Sequence, residues 1–206
     1  MKIMLTGFDP FGGETVNPAY EAVKLLPDRI GTAEIVKLQL PTVFGRSGEL
    51  LERAIEANRP DAVICVGQAG GRSAITPERV AINIMDCRIP DNSGYQPVDV
   101  VIRPDGENAY FSNLPTRRIV EHLRENGIPA ELSYTAGSYV CNYVMYTLLY
   151  LINTKYPSTI GGFIHVPFSA EQVADKCPGT PSMELTTIAR GLECSVEVVV
   201  REWNVK

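Results

Sequence analysis

Apolar runs alternate along the chain with segments whose apolar residues recur at helical spacing. Lys2-Ile-Met-Leu-Thr6 is a short apolar run, residues 33–40 alternate apolar and polar, and residues 61–67 are almost continuously apolar. The last pattern is that of a strand buried on both faces of a parallel sheet. Residues 80–86, 128–134 and 161–167 complete the predicted strands. Helices are predicted between them. Asn17-Pro18 opens one as N-cap and first position, Ala19, Ala22, Val23, Leu25 and Leu26 supply its apolar face, and Pro27 ends it. Residues 45–58 carry Leu50, Leu51, Ala54 and Ile55 on one face, residues 115–126 form a helix closed by Gly127, and residues 182–203 form a last helix. Val140, Val144, Met145, Leu148, Leu149 and Ile152 mark a helix with a wide apolar face, with Ser138 as its expected N-cap. Strands alternating with helices and no repeat or linker predict a single domain over residues 1–206. Its expected architecture is a three-layer α/β/α sandwich with a mostly parallel central sheet. Residues 87–110 show little periodicity and are too long for a plain connector, which points to a functional loop or an arm used in assembly.

Composition narrows the partners. The 206 residues carry a formal net charge of -5 with no basic run, so neither nucleic acid nor an anionic membrane surface is expected to bind. Residues 1–9 read as a first strand, not a secretory leader. Five cysteines, at 65, 87, 141, 177 and 194, include no Cys-x-x-Cys pair. Reduced thiols in the cytoplasm are expected. The only histidines are His122 and His165, too few and too dispersed for a structural zinc cluster. His122 falls among Glu121, Arg124 and Glu125, on what reads as a solvated helix face.

The candidate chemistry lies where predicted strands end, because ligands of open α/β sheets bind at the carboxyl ends of the strands. Cys141 falls in the first turn of the apolar helix. Free backbone N–H groups and the helix dipole there favour a thiolate nucleophile. The alternative is a packed core cysteine, which is the reading for Cys65. A cysteine nucleophile needs a base, and His165, late in its strand, is the histidine placed to serve. A carboxylate orienting the imidazole would be Glu78, Asp86 or Asp91, and spacing does not choose among them. The Gly7-Phe-Asp-Pro-Phe-Gly-Gly13 loop lacks a phosphate-binding pattern. Phe8 and Phe11 suit the walls of a small apolar pocket better. Two other readings compete: a nucleoside-phosphorylase-like enzyme using this loop with Arg72 or Arg88, and a non-catalytic small-molecule binding module.

Seven motifs in order carry a family resemblance. They are Thr6-Gly-Phe-Asp-Pro-Phe-Gly-Gly13, Asn17-Pro18, Val66-Gly-Gln-Ala-Gly-Gly-Arg72, Ile75-Thr-Pro-Glu-Arg-Val-Ala-Ile-Asn83, Arg88-Ile-Pro-Asp-Asn92, Thr135-Ala-Gly-Ser-Tyr-Val-Cys-Asn142 and Gly162-Phe-Ile-His-Val-Pro167. Together they resemble pyroglutamyl peptidase I, a family of cysteine peptidases also called pyrrolidone carboxyl peptidases. The resemblance implies hydrolysis after an N-terminal pyroglutamyl residue of peptides, no cofactor, no metal, a cytoplasmic location and a homotetramer. It implies Cys141 as nucleophile, His165 as base and Glu78 as the third member, with Asp91 as fallback. Phe8, Phe11, Gln68, Ile89 and Val140 match positions around the pyrrolidone ring, and Arg88 lies close to them.

Overall fold

The computed structural model describes residues 1–203. The chain runs β1 (Lys2–Phe8), α1 (Pro18–Leu25), β2 (Arg29–Ile30), β3 (Ala33–Leu40), α2 (Arg46–Asn58), β4 (Ala62–Gln68), β5 (Thr76–Glu78), β6 (Val80–Ile82) and β7 (Ala109–Phe111). It continues with α3 (Thr116–Glu125), α4 (Val140–Thr154), β8 (Ile160–Val166), β9 (Phe168–Ser169), β10 (Ser182–Met183) and α5 (Leu185–Trp203). Six strands form one sheet in the order β2-β3-β1-β4-β8-β5. β3, β1, β4 and β8 are parallel, and the short edge strands β2 and β5 run antiparallel to their neighbours.

Strand alternation divides the interior in two. Ile3, Leu5, Ile64, Val66, Ile164 and Val166 face one core, shared with α1, α3 and α5. Met4, Phe8, Val63, Cys65 and Phe163 face the other, shared with α2 and α4. Successive side chains point to opposite faces, so continuous apolar strands feed both helical layers at once. This is the expected three-layer α/β/α sandwich with a mostly parallel sheet.

Four local expectations need correction. Residues 128–134 form no ladder, only isolated bridges of Ala130 to Ile75 and Ser133 to Glu78. The segment does run along β5: Ile75 N–H bonds Pro129 C=O, Glu131 N–H bonds Ile75 C=O, Ser133 N–H bonds Pro77 C=O and Arg79 N–H bonds Ser133 C=O. The missing rung would be donated by residue 77, which is a proline without an N–H. The strand expected over 80–86 stops at Ile82, where it pairs with β7. Ser182 and Met183 lie in β10 against β9, so the last helix begins only at Leu185. Ser138 is not the cap of α4. Tyr139 holds the N-cap position without a side-chain bond, and the Ser138 hydroxyl donates to the Asp86 carbonyl instead.

Candidate active site

Strand parity assembles the site. Gly67 on β4 pairs with His165 on β8, and Thr76 and Glu78 on β5 pair with His165 and Phe163. Residues directly opposite share a face, and so do residues two apart. Phe163 packs in the α4-side core, so Gly67, His165 and Glu78 all belong to that face. Glu78 is then the diagonal neighbour of His165. His165 Nδ1 donates to Glu78 Oε1 over 2.8 Å, because an ionised carboxylate only accepts. Both side chains are buried. With Nδ1 engaged, Nε2 is the nitrogen left to exchange a proton.

Cys141 is the second residue of α4. The first intrahelical bond runs from Tyr143 N–H to Tyr139 C=O, so the N–H groups of residues 140–142 lie ahead of it. The thiol stands over Gly67. A Cβ built there would lie 2.9 Å from Cys141 Sγ and 2.7 Å from the Phe163 ring. Gly67 therefore leaves the room the Cys141 thiol occupies, on the strand adjacent to His165. Among the described residues, Glu78 is the ring's one hydrogen-bond partner, and the thiol is not bonded to it. Resting hydrogen bonds of this kind commonly tighten only on substrate.

The electrostatics differ from the expectation of an acidified thiol. Burial pushes the Cys141 thiol up to about 12, the Glu78 carboxylate pushes the same way, and Arg72 opposes. Fully buried Cys65 is also pushed up to about 12. Acidity thus does not set Cys141 apart; its partial exposure and its place over Gly67 do. Burial lowers the His165 pKa below its ordinary value, against the pull of Glu78. For Glu78, burial raises the pKa, but His165, Ser133 and Arg72 outweigh it and leave it lowered. The resting arrangement is a neutral thiol and a neutral imidazole beside an ionised carboxylate.

Arg72 is the group that sequence reasoning assigned elsewhere. Its Nη1 lies 2.6 Å from Glu78 Oε1 and also donates to Thr76 Oγ1, while Nη2 donates to Thr135 C=O over 3.1 Å. Residue 135 leads into α4, so one guanidinium ties the carboxylate to the helix that carries Cys141. Of the two arginines the phosphate reading offered, Arg72 is thus committed and exposed Arg88 remains. That reading also needed an anion-friendly first loop, yet Asp9 sits there, accepting from Thr42 N–H over 2.6 Å. The other two carboxylates are committed elsewhere. Asp91 accepts from the N–H groups of Phe44, Ser93 and Tyr95, and Asp86 is exposed. Asn142 is buried beside Cys141 and fastens the 82–84 segment through Ile82 N–H, Ile82 C=O and Ile84 C=O.

The expected pocket residues fall into a floor and a rim. Phe8, Val140 and Gln68 are buried. Phe11 stacks 5.9 Å from Tyr139, and Ile89, 44 % exposed, reaches the Gly12 loop. Arg88 is exposed and lines a cavity of about 470 Å³ with Ile89, Ser138 and Tyr139. Gln68 is held from behind. Gln172 Nε2 donates to Gln68 Oε1 over 2.9 Å and to Val16 C=O over 3.1 Å, while Gln172 Oε1 accepts from Ser169 N–H. Gln68 must then present its NH₂ to the cleft. His122 lies far from all of this, on α3, and its side chain is only 18 % exposed instead of solvated.

The sequence model of the pyroglutamyl peptidase family matches residues 1–202. A pyrrolidone-carboxylate peptidase of Clostridium perfringens is 56 % identical over 99 % of this chain and 95 % of its own. One of Thermosipho africanus is 57 % identical over 99 % of both chains. The crystal structure of Bacillus amyloliquefaciens pyroglutamyl peptidase I superposes with a TM-score of 0.94 at 50 % identity, covering 97 % of each chain. Pyrrolidone carboxyl peptidase from Thermococcus litoralis gives 0.95 at 42 % identity, over 98 % of this chain and 94 % of its own.

Proposed function

The chain belongs to the pyroglutamyl peptidase family, and from that premise we propose that Cys141, His165 and Glu78 carry its reaction. The protein is a cysteine-type hydrolase that removes N-terminal pyroglutamate from peptides. The observation that supports the assignment is the buried His165–Glu78 bond of 2.8 Å on the sheet face that α4 covers with Cys141. As Cys141 Sγ attacks the pyroglutamyl carbonyl carbon, its proton passes to His165 Nε2. The oxyanion faces the N–H groups at the start of α4, an arrangement worth about 3 kcal/mol. The imidazolium returns the proton to the leaving amine, and the C–N bond breaks to leave a thioester on Cys141. Water attacks this thioester, giving its proton to His165. Pyroglutamate leaves and the thiol is restored. Glu78 holds the imidazole tautomer and offsets the transient imidazolium.

Phe8, Phe11, Ile89 and Val140 accommodate the methylene groups of the ring, with Arg88 at the rim. The lactam carbonyl accepts from the Gln68 side-chain amide; the neighbouring Ala69 N–H already bonds Val166 C=O. A free N-terminal ammonium would enter this pocket unpaired, at about several kcal/mol. Prolyl substrates lack the lactam carbonyl and leave the amide unbonded. Both helical layers pack on the one sheet, which supports a single peptidase domain over residues 1–206. Five free cysteines fit a reducing, cytoplasmic setting. We extend the reading to a homotetramer.

Release of chromophore from pyroglutamyl, prolyl and glutaminyl arylamides under reducing conditions tests the assignment. Cleavage of the first alone is expected, abolished by Cys141→Ala or His165→Ala and kept by Cys65→Ala. A fully active Cys141→Ala protein would overturn it.

A further inference from the structure

Outside the active site, one cluster joins donor types that together favour a metal ion. His122 on α3 and Cys194 and Glu197 on α5 place an imidazole nitrogen, a thiol sulfur and a carboxylate oxygen within 4.8 Å of one another. We propose that these three side chains form a binding site for a thiophilic divalent cation of the zinc class, stapling α3 to α5.

The geometry fits the ion. His122 Nε2 lies 3.3 Å from Glu197 Oε2. A tetrahedral zinc with Zn–N and Zn–O bonds of about 2.0–2.1 Å sets its ligand atoms about 3.3 Å apart. Cys194 and Glu197 are three positions apart on one helix, so they share a face that α3 covers. The other imidazole nitrogen lies 3.6 Å from a further carboxylate oxygen, Glu125 Oε2, beyond hydrogen-bond distance, and the Asn126 side-chain amide sits 3.5 Å from Nδ1 and 3.4 Å from Nε2, which it must vacate for an ion. Closing that gap on metal binding would let Glu125 accept from Nδ1–H and hold the ring that binds the metal through Nε2. Cys194 is buried, and Glu197 lies at the surface, so the sulfur approaches the ion from the protein side. A cavity of about 220 Å³ is lined by His122 with Glu121, Glu125 and Glu202, though not by Cys194 or Glu197, and so brings solvent to the imidazole edge of the site. Arg118 and Arg201 also line it, so the surroundings are mixed, with the acids in excess.

On binding, the Cys194 S–H bond breaks, its proton leaves to solvent and the thiolate forms the S–metal bond. The ion's charge is then met by one thiolate and one carboxylate. α3 and α5 pack in the core on the opposite side of the sheet from Cys141. The expected consequence is therefore added stability, since a ligand bound only by the folded chain raises its melting temperature.

Cobalt(II) titration of the full chain carrying Cys141→Ser tests this, with the proposed nucleophile out of competition. The expected spectrum has a thiolate-to-cobalt charge-transfer band and strong tetrahedral d–d bands, both displaced by zinc, with zinc raising the melting temperature. Adding Cys194→Ser removes both signals, and Glu125→Gln weakens binding by about tenfold or more. Should Cys194→Ser fail to fold, His122→Gln carries the same test. Absence of the bands, or bands that survive these substitutions unchanged, would overturn the proposal. Cys194→Ser alone keeps full pyroglutamyl arylamide cleavage.

Discussion

At the scale of single residues, the resting protonation state makes a kinetic prediction. A preformed thiolate–imidazolium pair would need an acidified thiol and a strengthened imidazole. Here burial moves both the other way, the thiol up to about 12 and His165 below its ordinary 6.5. If neutral His165 is the base, kcat/KM rises with pH through a pKa below 6.5 and then stays level into the alkaline range. A bell with its alkaline limb near pH 8 would instead report the ion pair. Glu78→Gln removes the charge that offsets the imidazolium and leaves Arg72 facing a neutral amide. We expect a loss in kcat of about 100-fold or more, with KM little changed. The roles proposed for Cys141 and His165 could be drawn from the sequence because few thiols and only two histidines exist, and strand ends are where sites form. Glu78 was not separable from Asp86 and Asp91 by spacing. Its selection depends on an antiparallel edge strand lying diagonally across β8, a pairing between residues 87 apart in the chain. Arg72 was hidden for the opposite reason: a glycine-flanked arginine after a strand resembles a phosphate-binding group until its partner is seen.

At the scale of elements, the chain after β8 acts on the pocket through a short strap. The 3-10 turn Glu171–Val173 carries Gln172, whose amide nitrogen holds Gln68 Oε1. Gln172→Ala releases the Gln68 amide to rotate, and one lost orienting hydrogen bond is worth about tenfold in KM for a pyroglutamyl arylamide. Gln172→Glu is expected to do more. Its carboxylate can only accept, so Gln68 would turn its NH₂ toward the strap and its oxygen toward the lactam carbonyl. The new charge would also lie beside Glu14, which the Gln172 amide now contacts at 3.2 Å. A KM ordering of wild type, then Ala, then Glu, with kcat nearly constant, checks this positioning role. Equal KM for all three would remove Gln172 from it. Helices and central strands were legible from periodicity because each buries one continuous face. The strap, β9 and β10 were not, being two or three residues long and set by contacts with Gln68 and with each other. Pro77 shows a limit of another kind: the composition of 128–134 suits a strand, yet its neighbour withholds the donor that would complete it.

At the scale of the whole molecule, the question is where a second copy would pack. The sheet edges are poor candidates. β2 is two residues long, and β5 is flanked by the 128–134 segment, so neither offers a long free template. The exposed apolar surface lies elsewhere. Ile82 and Phe111 are 40 % and 65 % exposed, on one face of the β6–β7 ribbon. Val98 and Val101, 68 % and 53 % exposed, sit on the long loop that joins β6 to β7. That loop is fixed, not trailing. Met85 and Val100 exchange both backbone bonds, and the Asn83 side chain bonds Arg103 N–H and C=O. If a second copy packs on this chain, apolar side chains held out to solvent on an anchored loop are where we propose it does so. Of the two expectations for the aperiodic stretch, Arg88 and Ile89 near its start line the candidate pocket, as a functional loop would, and the exposed Val98 and Val101 are where we propose an arm of assembly. Light scattering at micromolar concentration should give a mass near four times 22.6 kDa. Val98→Asp or Phe111→Asp should give a smaller species that still cleaves the pyroglutamyl arylamide, because neither residue belongs to the proposed site. A wild-type mass of one chain would refute the tetramer. A tetramer indifferent to both substitutions would move the interface away from the arm.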